Sequence, residues 1–407
     1  MQYHKIITPN FYRLFACSGS HCIDNCCNSW SISIDKQTYK KYINTPHPHI
    51  RQLAKDNLLL TRSGNANYAI VKLDEQGKCP LLSTDGLCQV HATLGSAALS
   101  KTCSTFPRLS RNIGDQTRHS MTLACSEVVR LVMFSHEGMH FSEETQLRPV
   151  SKGKLTNSPP RWQAKHQLIS LFFTHLAHAD SPSIDNNLLA LTSFTLYLQK
   201  LDFNIEEHLA EIENFYAILL QSLTNGTLGE RDTNKQQNDT VKSKLKLNTL
   251  ILLGSNINQT SRGSDYLQAN HRAIADFLDV NNPESNLAEK FSQLNQQWHT
   301  LCESKKLSIN KALRNLLSYH IYNRALPGEN LENSFHLLYQ LVIDYFYLKT
   351  SLSVLSLGKE IEEVDIVRFV SYYHIIHEHN EILKKALIQQ IQDINFNDYI
   401  SCVLFLE

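Results

Sequence analysis

Apolar residues recur at three- and four-residue spacing through HQLISLFFTHLAHA (166–179), NNLLALTSFTLYLQKL (186–201) and IEEHLAEIENFYAILLQSL (205–223). That is the period of helices with one buried face. The same spacing predicts helices over 284–304, 308–325, 330–352, 360–378 and 380–392. Residues 163–407 therefore read as an all-helical domain. Within it GTLGERDTNKQQNDTVKSK (226–244) has no apolar face and reads as a mobile loop. SEETQLRPVSKGKLTNSPPRW (142–162) gathers polar residues, glycine and three prolines, the composition of a linker. Residues 1–141 lack such long periodic runs and read as a separate loop-rich domain. The expected fold class is mainly α, with a loop-rich cysteine domain followed by the all-helical one; no internal repeat is visible.

With 407 residues, 42% of them hydrophobic and 19% charged, the chain is long enough for two or three domains and has globular composition. Its formal net charge is zero, which gives no general electrostatic case for nucleic acid. Residues 1–150 carry 16 Lys and Arg against 11 Asp and Glu. That small positive surplus suits an anionic cofactor without demanding one. No window reaches the roughly 20 apolar residues of a membrane span. LISLFFTHLAHA (168–179), the nearest, is cut by His and Thr. The start of the chain has no apolar core of signal-peptide length. A cytoplasmic location is expected, with peripheral membrane association and oligomerisation left open.

Cysteine changes the picture most. Eight of ten fall at Cys17, Cys22, Cys26, Cys27, Cys79, Cys88, Cys103 and Cys125, in the pattern C-x4-C-x3-C-C followed by C-x8-C-x14-C-x21-C. In a reducing compartment such density points to metal or redox chemistry over disulfides. The C-x2-C pairing usual for structural zinc is absent. Adjacent cysteines leave the backbone in different directions, which suits two metals or different irons of one cluster. Cys302 and Cys402 stand alone and read as buried small hydrophobes. Zinc and an iron–sulfur cluster both remain open on spacing alone. So does a zinc-stabilised, non-catalytic binding or chaperone module for a protein partner.

The block C-x4-C-x3-CC-x2-W, with ID at 34–35 and TY at 38–39, resembles the flagellin lysine-N-methylase family. The similarity continues in CPLLSTDGLCQVHATLGSAALSKTCSTFPR (79–108), in LACSEVVRL (123–131) and in RFVSYYHIIHEHNEIL (368–383). Ser126 stands where that family usually has proline. The resemblance implies transfer of methyl groups from S-adenosylmethionine to lysines of flagellin before export, with a 4Fe-4S cluster; which of the eight front thiols are its ligands, and whether they hold one metal centre or two, stays open at this point. The chain has no G-x-G and no alternation of strands and helices, so a Rossmann-type donor site is not expected. C-x3-C-C also misses the C-x3-C-x2-C spacing of barrel-type radical enzymes.

Given that cofactor, Trp30 and Tyr39 flank the cysteine loop as candidates for stacking on adenine or for shielding a cluster. Arg108 and Glu127 are candidates for the cofactor's polar groups or for a structural ion pair. Tyr322 and His374 are the candidate catalytic residues, grouped with Tyr319, Asn323, His377 and His379. They are expected on one wall of a pocket between the two domains, opposite the metal centre.

Overall fold

The computed structural model describes residues 2–148 apart from 62, 114 and 115, then 164–228, 239–304, 307–328, 331, 334–378, 380–393 and 404–406. The front region holds β1 (Gln2–Pro9), α1 (Asn10–Leu14), β2 (Ser33–Ile34), α2 (Lys36–Ile43), α3 (Pro48–Asn57), β3 (Leu58–Leu60) and β4 (Ala69–Val71). It continues with α4 (Gln89–Leu94), α5 (Lys101–Thr105), β5 (Arg108–Ile113), β6 (Gln116–Met121), α6 (Ser126–Phe134) and β7 (Phe141–Arg148). The rest is helical: α7 (Ala164–His178), α8 (Ile184–Lys200), α9 (Leu209–Thr224), α10 (Asp239–Ser255) and α11 (Ser264–Leu278), then α12 (Leu287–Glu303), α13 (Ile309–Asn323), α14 (Ser334–Gly358), α15 (Glu363–His377) and α16 (Glu381–Asp393). The mainly α class expected from periodicity is the observed one.

Local chemistry explains several element starts. Asp35 caps α2 by accepting from the Thr38 backbone N–H at 2.9 Å and from its hydroxyl at 2.7 Å. Ser100 caps α5 by accepting from the Cys103 N–H at 3.1 Å, which fixes where that thiol starts. Glu362 and Asp365 close a capping box on α15. Helix α14 is apolar around its whole girth, so it is buried as the central rod, packed by α8, α11 and α12.

Two sheets were not expected. The larger has the order β5-β6-β1-β7, with β1 parallel to β6 and antiparallel to β7. The smaller is β2-β4-β3, antiparallel throughout. Strand β7 takes 142–148, the first third of the expected linker, because backbone pairing with β1 satisfies a polar segment as well as water does. Residues 149–162 of that linker lie outside the described residues. The expected loop at 226–244 is also shortened. Residues 239–244 open α10, and 229–238 lie outside the described residues.

The boundary between cores does not fall at residue 141. Phe11, Met121, Leu123, Val128, Val132 and Met139 belong to the same buried cluster as the helices that follow. Helix α6 packs against α13 and α15, so it is part of the helical body. A second, smaller core is built by Ile32, Ile34, Tyr42, Ile50, Val71, Leu81, Val90 and neighbours within 32–98. Cys302 packs at the edge of the main core, as a small hydrophobe would; Cys402 lies outside the described residues.

Candidate functional site

A cavity of about 250 Å³ lies between the smaller core and the helical body. Cys17, Cys22, Cys26, Cys27, Cys79, Cys88, Cys103 and Cys125 all line it. The fold brings together thiols that span 109 positions of sequence. None is disulfide-bonded. Among the described residues no three His, Cys, Asp or Glu side chains are gathered into a ready metal-binding cluster; the thiols stand around the wall.

The loop 22–30 is built by its own polar groups. The Asn25 amide donates to Gly86 O at 2.8 Å and its oxygen accepts from the Cys27 N–H at 2.9 Å. The Trp30 indole N–H donates to Cys26 O at 2.6 Å, and Cys79 N–H donates to Cys27 O at 3.0 Å. These bonds brace the loop internally and tie it to Cys79 and Gly86, with the thiols of both segments lining the cavity. Cys88 and Cys125 occupy the N-cap positions of α4 and α6. Ser126, at the position expected as proline, lies with its Oγ 3.5 Å from Cys22 Sγ.

The surroundings favour neutral thiols. Burial pushes Cys79 up to about 11 and Cys125 to about 12, and Cys103 is raised for the same reason. Within the adjacent pair, the hydrogen bond from Cys27 lowers Cys26 and raises Cys27. A cation placed in the cavity reverses this preference by converting thiols to thiolate ligands.

One residue from the helical body completes the wall. Arg262 donates to Asn25 O at 3.0 Å and Ala124 O at 2.6 Å, and its Nε lies 2.7 Å from Asp24 Oδ2. It ties the loop to the turn carrying Cys125. Burial raises the Asp24 carboxyl, against the opposing pull of Arg262 and Arg368. Nothing in the sequence marks Arg262, since its partners are more than a hundred residues away. Gly263 beside it has φ +80°, and a Cβ there would collide with the Tyr372 ring. Gly263→Ala should destabilise the protein by about 1–3 kcal/mol in denaturant unfolding.

Other candidates fall differently. Trp30 lines the cavity and tilts against Phe106 at 5.9 Å, while Tyr39 packs on Tyr68 away from the wall. Glu127 is engaged by Arg130 at 2.9 and 2.6 Å and by Ser18 at 3.5 Å, which is the structural ion-pair role. The Arg108 side chain lies over the Tyr12 and Phe15 rings at the cavity, and its guanidinium has no hydrogen-bond or ion-pair partner among the described residues.

Tyr322 and His374 are not in this cavity. Tyr322 donates to His119 O at 2.8 Å and Ile7 O at 3.1 Å, pinning α13 to the larger sheet. His374 bonds Val370 O through Nδ1 at 2.9 Å and stacks on His320 at 5.1 Å. The single pocket expected between a metal wall and a tyrosine–histidine wall is therefore corrected to two. Helix α15 separates them. Its Ser371 donates to Ala124 O and its Arg368 and Tyr372 sense Asp24, while Tyr373, His374 and His377 line a second cavity of about 270 Å³. The two linings share no residue. His379 lies outside the described residues.

His377 is 4% exposed, and burial, the largest cause, lowers its imidazole to about 4. Asp344 pulls the other way, while His374 and His271 add to the lowering. An unfolded imidazole titrates near 6.5, so below that value the unfolded chain binds the proton first. Stability is whole above about 6.5 and should fall by about 3 kcal/mol as pH drops to about 4. His377→Leu should flatten that slope in pH-dependent unfolding.

A helical body carrying a cavity walled by eight cysteines without disulfides defines a cysteine-rich, mainly α class of protein. Residues 170–405 match the family model described as the FliB lysine N-methylase C-terminal domain. The chain is 31% identical over 404 residues to the lysine-N-methylase of Salmonella typhimurium, covering 98% of both chains, and equally so to that of Salmonella choleraesuis. It is also 41% identical over 140 residues to the flagellar biosynthetic protein FliU of Salmonella muenchen, covering 83% of that protein. The chain belongs to the FliB lysine N-methylase family. No solved structure matches it. Among the described residues no helix is long and apolar enough to cross a membrane.

Proposed function

We propose that the protein is a cytoplasmic lysine N-methyltransferase that uses S-adenosylmethionine and an iron–sulfur centre to methylate lysines of flagellin. The observation that carries this reading is the convergence of all eight front cysteines on one cavity, in a chain whose full-length relatives are lysine N-methylases. The residues fit such a group. Thiols spread around about 250 Å³ suit a centre several atoms across better than one small ion.

Cys22, Cys26, Cys27, Cys79, Cys88, Cys103 and Cys125, with the more exposed Cys17, are the available ligands. When bound, an iron–sulfur centre supplies iron coordination and electron-transfer capacity there. The protein's own groups do the rest. Arg262 and Asp24 lock the loop against the helical body. Ile32, Ile34, Val71 and Val90 keep the inner wall dry. Arg108 at the cavity is free to meet a carboxylate, and the Trp30 ring offers a flat apolar face.

Iron and acid-labile sulfide analysis of anaerobically purified protein tests the cofactor. Iron with matching sulfide, and absorption typical of iron–sulfur proteins, is expected. A colourless protein containing stoichiometric zinc would instead support the non-catalytic binding module.

A further inference from the structure

The second cavity has a chemistry that folding alone leaves incomplete. It is lined by Arg111 from β5, Asn323 and Arg324 from the end of α13, Gln340 and Asp344 from α14, and the α15 face that carries Tyr373, His374 and His377, with Glu378 beyond it. Its volume of about 270 Å³ approaches the roughly 300–1,000 Å³ of small-molecule sites. Both oxygens of Asp344 are already engaged, one accepting from Arg324 at 2.6 Å and the other from the Tyr373 hydroxyl at 2.6 Å.

Four other groups have capacity to spare. Both ring nitrogens of His377 are buried without a hydrogen-bond partner, although the residue is only 4% exposed. Arg324 Nη1 is likewise buried and unpartnered. The Glu378 carboxylate has no ion pair among the described residues, whereas neighbouring Lys384 is taken by Glu381 at 2.7 Å. Arg111 spends one N–H on Asn323 O at 3.2 Å and has others to offer. Buried polar atoms without partners are costly, so a site with several of them fits a ligand that supplies them all.

We propose that this second cavity binds a small zwitterion of the α-amino-acid class. Its carboxylate sits on Arg324 and Arg111 and its ammonium on Glu378, and the His377 imidazole meets it with one donor and one acceptor. A purely cationic ligand would be repelled by Arg324 and Arg111, an inorganic anion would be repelled by Glu378, and a neutral acceptor would leave the charges of both sides without a counter-charge. The zwitterion has two sources with the same chemistry: a free amino acid, or the amino-acid end of a nucleoside conjugate.

Titration calorimetry on the full, metal-loaded chain separates them, using L-methionine, S-adenosylhomocysteine and methylthioadenosine, which lacks the amino-acid group. At least one of the first two should bind, methylthioadenosine should not, and His377→Leu and Glu378→Gln should each weaken binding about tenfold or more. Metal content should stay unchanged in both variants. Tighter binding of S-adenosylhomocysteine assigns the nucleoside source, and equal or tighter binding of methionine the free amino acid. The assignment is overturned if neither zwitterion binds, or if methylthioadenosine binds as well as S-adenosylhomocysteine. It is also overturned if binding is lost in Cys26→Ser, Cys27→Ser yet intact in the His377 and Glu378 variants. Methyl transfer to flagellin is read separately, so failure here leaves the proposed function standing or falling on its own test.

Discussion

The Cys26→Ser, Cys27→Ser double variant should lose its metal and, with it, the order of the smaller core. Cys27 packs on that core together with Cys79, Cys88 and Cys103. Cys26 shares a hydrogen bond with Cys27, and its charge is felt by Cys103 on one side and Cys125 on the other. The pair thus joins thiols of the smaller core to those of the helical body. Among the described residues twelve buried side chains form that core, too few to be robust unaided. Metal binding and folding should be coupled there. Elemental analysis should show background metal, and limited proteolysis should cut within 32–103 while α7–α16 stay protected. Full metal content in the double variant would refute the ligand assignment.

Arg262→Ala should cost about 3–5 kcal/mol, the range for stripping one partner from a buried ion pair. Arg262 and Asp24 are only 10% and 11% exposed at their side chains. Removing the guanidinium strands the Asp24 carboxylate and frees the carbonyls of Asn25 and Ala124. Adding Asp24→Asn should restore part of the loss, since the stranded charge goes with it. Chemical denaturation of the three variants reads this directly. A loss near 0–1 kcal/mol, as for an exposed pair, would mean that Arg262 does not hold the loop.

Long helices were legible because their apolar spacing is a local property. The expected 308–325 is observed as Ile309–Asn323, and 380–392 as Glu381–Asp393. Helix α10 was not expected. It buries polar positions such as Ser243, Thr249 and Lys246, the last with its ammonium over the Phe291 and Phe346 rings, so its apolar stripe is broken. The larger sheet escaped notice because β1 finds β6 more than a hundred residues later, and no local pattern records a parallel pairing at that distance.

The cysteines show the same division. Their density marked a site, and the cavity contains all eight. The residue that closes it, Arg262, reaches Asn25 across 237 positions and left no trace in local sequence. Tyr322 and His374 are side chains suited to a role near a substrate lysine, and neither spacing nor resemblance says which way they face. Yet side chains four apart on α15 share a face, and the face holding His374 turns away from the thiols.

The most direct test is to incubate anaerobically purified, iron-loaded protein with S-adenosylmethionine and unmodified flagellin, then map lysine methylation by peptide mass spectrometry. Methylated lysines are expected with the intact protein and none with Cys26→Ser, Cys27→Ser. Undiminished methylation by the metal-free double variant, or none by the iron-loaded protein, would contradict an iron–sulfur-dependent flagellin methyltransferase built on the cysteine cavity.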